Sequence, residues 1–126
     1  METIPEEYTV PAQARDWMRC IGCAVTICDS EGVILYMNDR ARATYRKHGN
    51  LIGASLYDCH AERSTGKTRR LLATGETNTY TVLKHGIHKL IFQSPWRRDG
   101  EIAGLVEISI PLPENMPHYD RDAENK

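Results

Sequence analysis

The sequence predicts an α+β domain: a five-stranded antiparallel sheet with short helices on one face and a further helix at the N-terminal end. Three observations predict it. Short apolar, β-branched runs occur twice before and three times after a helical middle. Glycine-containing turns at Asp29–Gly32, Lys84-His85-Gly86 and Asp99-Gly100 join neighbouring runs so tightly that the strands they connect must be antiparallel. The 126 residues, 40% of them hydrophobic, suit one core, and no repeat or linker divides the chain.

The elements follow in order. Residues 1–19 form a polar N-terminal segment and a helix, in which Pro11 suits a first turn and Ala14, Trp17, Met18 and Ile21 share a face. That stripe packs on its own domain, on a second copy of the chain, or on both. Ala24–Cys28 reads as a strand, Asp29–Gly32 as a turn and Val33–Met37 as the returning strand. Asn38 is placed to cap a helix over 39–47, with Ala41 and Tyr45 on one side and Gly49 beyond its end.

Leu51-Ile52-Gly53 is an apolar link, and Ser55 caps a single turn, LYDCH. Residues 63–73 form a basic helix with Arg63, Lys67, Arg69 and Arg70 outward and Leu71 and Leu72 inward, stopped by Gly75. The closing strands are Thr77–Leu83, Ile87–Trp96 and Glu101–Ile110. In the second, Leu90, Phe92, Ser94 and Trp96 share a face; in the third, Ile102, Gly104, Val106, Ile108 and Ile110 do. Pro111 and Pro113 end the sheet, and residues 112–126 are a polar tail.

Charge and composition exclude several classes. Sixteen Lys and Arg against 17 Asp and Glu give a net charge of −1, so no global field draws in nucleic acid or an anionic membrane. Neither partner is expected. No apolar stretch approaches the length of a membrane span, and the opening METIPEEYTV lacks the pattern of a signal peptide, so a cytoplasmic protein is expected. Cys20, Cys23, Cys28 and Cys59 are then expected to be reduced. The C-x-x-C pair Cys20–Cys23 precedes a strand rather than opening a helix, so small half-buried thiols are expected rather than a metal or redox site.

The order of elements and several marks in it resemble the PAS fold over roughly residues 20–111. The marks are the D-x-x-G turn at Asp29–Gly32, Asn38, the L-I-G of Leu51–Gly53 with Leu56 after it, and the closing hairpin at Asp99-Gly100. The wording ICDSEGVILYMND, LYDCH and PHYDRD is similar to a bacterial subgroup of PAS modules found alone or beside hemerythrin-like domains. The resemblance implies a sensory signalling module that dimerises and has no catalytic activity of its own. An output domain would then lie in a partner protein in trans. It also implies a ligand pocket between the sheet and the short helices. On that map Tyr36, Tyr45, Leu56, Cys59, His60, Leu90, Phe92 and Gln93 are the candidate ligand-binding residues. Trp17, Met18, Ile21 and Trp96 are the candidate dimer interface, because an apolar helix stripe and a sheet face bearing Leu, Phe and Trp make a partner-binding surface.

Two sharper chemistries compete with that reading. His60, with or without Cys59, would be the proximal ligand of a haem-bearing gas or redox sensor, against a His that caps a helix turn and bonds a carbonyl. A single Phe in the chain offers little aromatic lining for haem. Cys59 lacks the neighbours of the flavin-binding light sensors of this fold, so flavin is not expected. Ala61–Thr68, AERSTGKT, follows a permissive phosphate-loop pattern in which Lys67 would reach phosphate and Thr68 would bind magnesium. Hairpins dominate the chain, however, and Ala61 replaces the first Gly. The first turn of a solvated basic helix is the expected role of this stretch, and of Ser64-x-x-Lys67 within it. No catalytic residue or metal ligand is assigned.

Overall fold

The computed structural model describes residues 12–46, 49–56 and 62–124. Five antiparallel strands form one sheet: β1 Ala24–Asp29, β2 Ile34–Met37, β3 Asn78–Lys84, β4 Ile87–Arg98 and β5 Glu101–Pro111, in the order β2-β1-β5-β4-β3. Helices are α1 Ala12–Cys20, α2 Asp39–Thr44, α3 Glu62–Thr74 and α4 Arg121–Glu124. The last lies within the polar tail; Asp120 starts it by accepting from the Ala123 N–H at 3.0 Å. The single turn expected at LYDCH falls largely on residues 57–60, outside the described residues.

Turn chemistry sets the hairpins. At the β3–β4 turn His85 and Gly86 have φ of 53° and 77°, and at the β4–β5 turn Asp99 and Gly100 have 52° and 82°. Positive φ at both central residues is the turn whose twist matches that of the strands it joins. Between β1 and β2 the Asp29 carboxylate accepts from the N–H groups of Glu31 and Val33, each at 2.9 Å, so Asp29 is a turn residue.

The core has two parts, one on each face of the sheet. On the inner face Cys28, Ile34, Met37 and Leu105 pack with Ala41 of α2, Leu56 and Leu71 of α3. On the outer face Val25, Ile27 and Tyr36 pack with Met18 and Ile21 of the α1 region, Cys23, Trp96, Val106 and Ile108. The N-terminal apolar stripe therefore packs on its own domain at Met18 and Ile21, while Trp17 remains 56% exposed.

Asn38 joins these parts. Its side chain accepts from the Ala41 N–H at 3.1 Å, the helix cap expected from sequence. It also accepts from the Val25 N–H at 2.9 Å and donates to the carbonyls of Met18 at 2.9 Å and Cys23 at 2.8 Å. The fully buried amide thus uses both donors and both acceptor sites, and it clasps α1 to β1 and α2.

Candidate functional site

A cavity of about 420 Å³ lies between the inner face of the sheet and α3. β1 contributes Thr26 and Cys28 to it, β5 contributes Leu105 and Glu107, β4 contributes Gln93, and β3 contributes Asn78 and Tyr80. Lys67 and Thr68 enter from α3, and Leu56 closes one side. A second cavity of about 210 Å³ shares Thr26, Tyr80 and Glu107 with the first and extends past Tyr45 and Ile91 to Lys84 and Lys89.

The floor carries a row of polar side chains. Asn78 pairs with Gln93, Gln93 with Glu107 and Glu107 with Thr26 across four neighbouring strands, so all four point the same way. The Asn78 amide donates to Gln93 Oε1 at 2.9 Å, and the Gln93 amide donates towards Glu107 Oε1 at 3.4 Å. Glu107 is felt by its neighbours: burial first, and then its charge, raises the Tyr80 hydroxyl above its ordinary pKa. Burial pushes the Cys28 thiol up to about 11, with smaller contributions from Asp29 and Glu107. Cys28 is therefore a protonated, apolar wall group at neutral pH.

The candidate residues read from sequence divide between the two faces. Gln93 and Leu56 line the larger cavity and Tyr45 the smaller. Tyr36, Leu90 and Phe92 lie on the outer face. Tyr36 pairs with Ile27, while Phe92 pairs with Ile108, which in turn pairs with Val25; all belong to the α1 side. Leu90 pairs with Ile110 on the same side as Phe92. The reason at Tyr36 is a β-bulge. Cys28 pairs with Ile34 but Ile27 pairs with Tyr36, leaving Leu35 as an extra residue and turning Tyr36 away from the face that Ile34 occupies. Cys59 and His60 lie outside the described residues. Of the dimer candidates, Met18, Ile21 and Trp96 pack within this chain on the outer face.

Two chemistries meet poor ground here. Gly66, Lys67 and Thr68 are inside α3 rather than in a loop after a parallel strand, and every pairing in the sheet is antiparallel. The phosphate-loop geometry is thus not formed. A porphyrin presents broad apolar faces, whereas the described lining of this cavity sets only Cys28, Leu56 and Leu105 among amides, hydroxyls, a lysine and a carboxylate, a poor fit for it.

Sequence reasoning missed Glu107, Asn78, Thr26 and Tyr80 as cavity residues. The available signal was alternation in β5: Leu105, Glu107 and Ser109 form the stripe opposite Val106, Ile108 and Ile110.

No curated protein matches the chain. Among solved structures, VqmA of Vibrio cholerae, described as a dimer and a LuxR-type receptor with a target DNA, is similar at 16% identity and a TM-score of 0.65, covering 84% of this chain and 53% of that one. The chain thus spans about half the length of VqmA. The PAS domain of the histidine kinase ThkA is similar at 20% identity and a TM-score of 0.60, covering 71% of this chain and 99% of that one. A PAS domain from Colwellia psychrerythraea is similar at 15% identity and a TM-score of 0.61, covering 82% and 97%. At these identities the likeness is one of fold. A family model described as the PAS fold matches residues 20–114, most of the chain and every strand of the sheet, and the chain belongs to that family.

Proposed function

We propose that this protein is a sensory signalling module that binds a small polar ligand in the cavity between the sheet and α3. It acts by shifting between two packings rather than by catalysis. The observation that carries the reading is the polar row Asn78–Gln93–Glu107–Thr26 on the face of the sheet turned towards the helices. An inner face built only for stability would be apolar there, because each buried polar group left unsatisfied costs about 1–3 kcal/mol. A polar ligand would hydrogen-bond to a row whose members are already linked from Asn78 through Gln93 to Glu107. VqmA has also been described bound to DPO, which is consistent with small-molecule binding by this fold.

Dimerisation belongs to the same reading. Trp17, Leu83 and Ile110 are 56%, 64% and 37% exposed, apolar groups at the margins of the outer face that a second copy would cover. Output would pass to a partner protein.

Native mass spectrometry after incubation of the purified chain with a small-molecule cell extract tests both parts. The expected result is a dimer carrying a small molecule, with the added mass lost in Gln93→Leu. A monomer that stays unliganded overturns the reading.

A further inference from the structure

A third cavity opens on the same side of the sheet, towards the turn end of β3 and β4, and shares no described lining residue with the larger one. It is a cleft of about 590 Å³ between the end of α2 and the β3–β4 turn. Its lining includes Arg46, Lys84, His85 and Lys89, with no carboxylate among the described residues. We propose that this cleft binds the phosphate group of a small organic phosphate ester. The site is separate from the ligand site proposed above and does not depend on it.

Local structure brings the cations together. The two-residue turn at His85-Gly86 pairs Lys84 with Ile87 and Val82 with Lys89. Side chains two apart on a strand share a face, so Lys84 and Lys89 point to one side as diagonal neighbours. Tyr80, which lines the larger cavity, continues that stripe, so the side is the one turned towards the helices. Arg46 comes from across the cleft, one residue past Tyr45, which caps α2. His85 at the turn adds a ring N–H donor.

Each cation keeps its water, Lys84 and Arg46 being exposed and Lys89 half-buried, and the fold does not require a partner for any of them. What marks the cleft is their convergence. In a chain of net charge −1, three cations gather at one concavity. None of the three is in an ion pair among the described residues, whereas Arg70 on α3 is paired with Glu76 at 3.6 Å. Like charges held together repel one another, and an anion entering between them is attracted by all three at once.

A phosphate monoester suits the cleft better than a carboxylate, because its charge near −2 and its three terminal oxygens are shared among three cationic donors. The rest of the ligand also has a place. The cavity of about 210 Å³ adjoins the cleft through Thr44, Tyr45, Lys84 and Lys89 and continues to Val82 and Ile91, a wall for a small organic body. Nucleic acid would need a longer track of cations than three at one concavity.

Ligand-observed NMR titration of the purified full chain tests this. The probes are AMP, glucose 6-phosphate and glycerol phosphate, each beside its unphosphorylated parent, with inorganic phosphate and phosphatidylglycerol vesicles as further arms. The expected result is binding of at least one ester in clear preference to its parent, weakening as salt rises. Lys84→Ala, Lys89→Ala and Arg46→Ala should each weaken it by about threefold to tenfold while circular dichroism stays native. Arg70→Ala, on α3 and outside the cleft, should leave it unchanged. Equal binding of ester and parent overturns the phosphate assignment. Binding indifferent to the three cleft substitutions, or weakened as much by Arg70→Ala, overturns the placement in this cleft. Inorganic phosphate bound as tightly as every ester, binding to vesicles alone, or binding of none of the probes overturns the proposal. None of these outcomes bears on the ligand of the larger cavity, which Gln93→Leu tests.

Discussion

The indole N–H of Trp96 donates to the backbone carbonyl of Cys28 at 3.0 Å, and Gly104 lies beneath that bond. Trp96 pairs with Gly104 on β5, and Cys28 belongs to β1 on the far side of that strand. One side chain thus spans the central strand, which only a residue without a Cβ permits. A Cβ at Gly104 would collide with the Cys28 carbonyl oxygen and stand 2.5 Å from Trp96 Nε1. Gly104→Ala should therefore destabilise the fold by about 3 kcal/mol, and Trp96→Phe, which removes the hydrogen bond and some packing, by about 1–2 kcal/mol. Urea midpoints measure both. A Gly104→Ala protein as stable as the parent would show that the crossing is not tight.

Asn38 offers a sharper dissection, because its donors and acceptors serve different elements. Asn38→Ala removes the α2 cap together with the clasp on α1 and should cost about 3 kcal/mol. Asn38→Asp keeps both acceptor bonds, to Val25 and Ala41, and loses both donor bonds, to Met18 and Cys23. Amide hydrogen exchange on Asn38→Asp should therefore quicken in α1 far more than in α2. Equal loss of protection in the two helices would refute the division of labour.

Much of this fold was legible in the sequence because its signals are local. Asp29, Asn38 and Asp99-Gly100 act within a few residues of themselves, and each does in the structure what its chemistry suggests. The faces of the strands were less legible. An apolar stripe such as Val106, Ile108 and Ile110 is ordinarily assigned to the helix-covered side, but here much of it packs towards α1 or lies near solvent, and the stripe with Glu107 faces the cavity. Tyr36 was hidden for another reason, since one extra residue at Leu35 reverses the alternation and no composition cue marks the bulge. The second duty of Asn38 was invisible because Met18 is 20 residues away in the chain.

Alkaline pH should unfold this protein sooner than its composition suggests. Burial raises the Cys28 thiol from 9.0 to about 11, and it also raises Tyr36 and Tyr80. A group whose folded pKa is raised holds its proton longer in the folded state than in the unfolded one. The Cys28 contribution is therefore fully present below about pH 9 and lost as pH rises towards 11, about 2–3 kcal/mol in all. Urea unfolding at neutral pH and at several points across that window should show the fall. In Cys28→Ala the stability at neutral pH should drop by about 1–2 kcal/mol from the cavity, and the alkaline slope should flatten. An unchanged slope in Cys28→Ala would remove the thiol as its cause.

The Tyr36 hydroxyl is buried beneath the α1 side of the sheet and has no hydrogen-bond partner among the described residues. Its ring contributes to the outer core with Val25 and Ile27, but its oxygen has lost water without gaining a replacement. Deleting that oxygen alone should cost nothing: Tyr36→Phe is expected to leave stability unchanged or raise it by up to about 1 kcal/mol, whereas Tyr36→Ala should lose about 3–4 kcal/mol of packing. Thermal unfolding of the two variants beside the parent measures the contrast. A clear loss of stability in Tyr36→Phe would mean that the hydroxyl has a partner in solution, and amide exchange in α1 would then show whether that partner belongs to the helix above it.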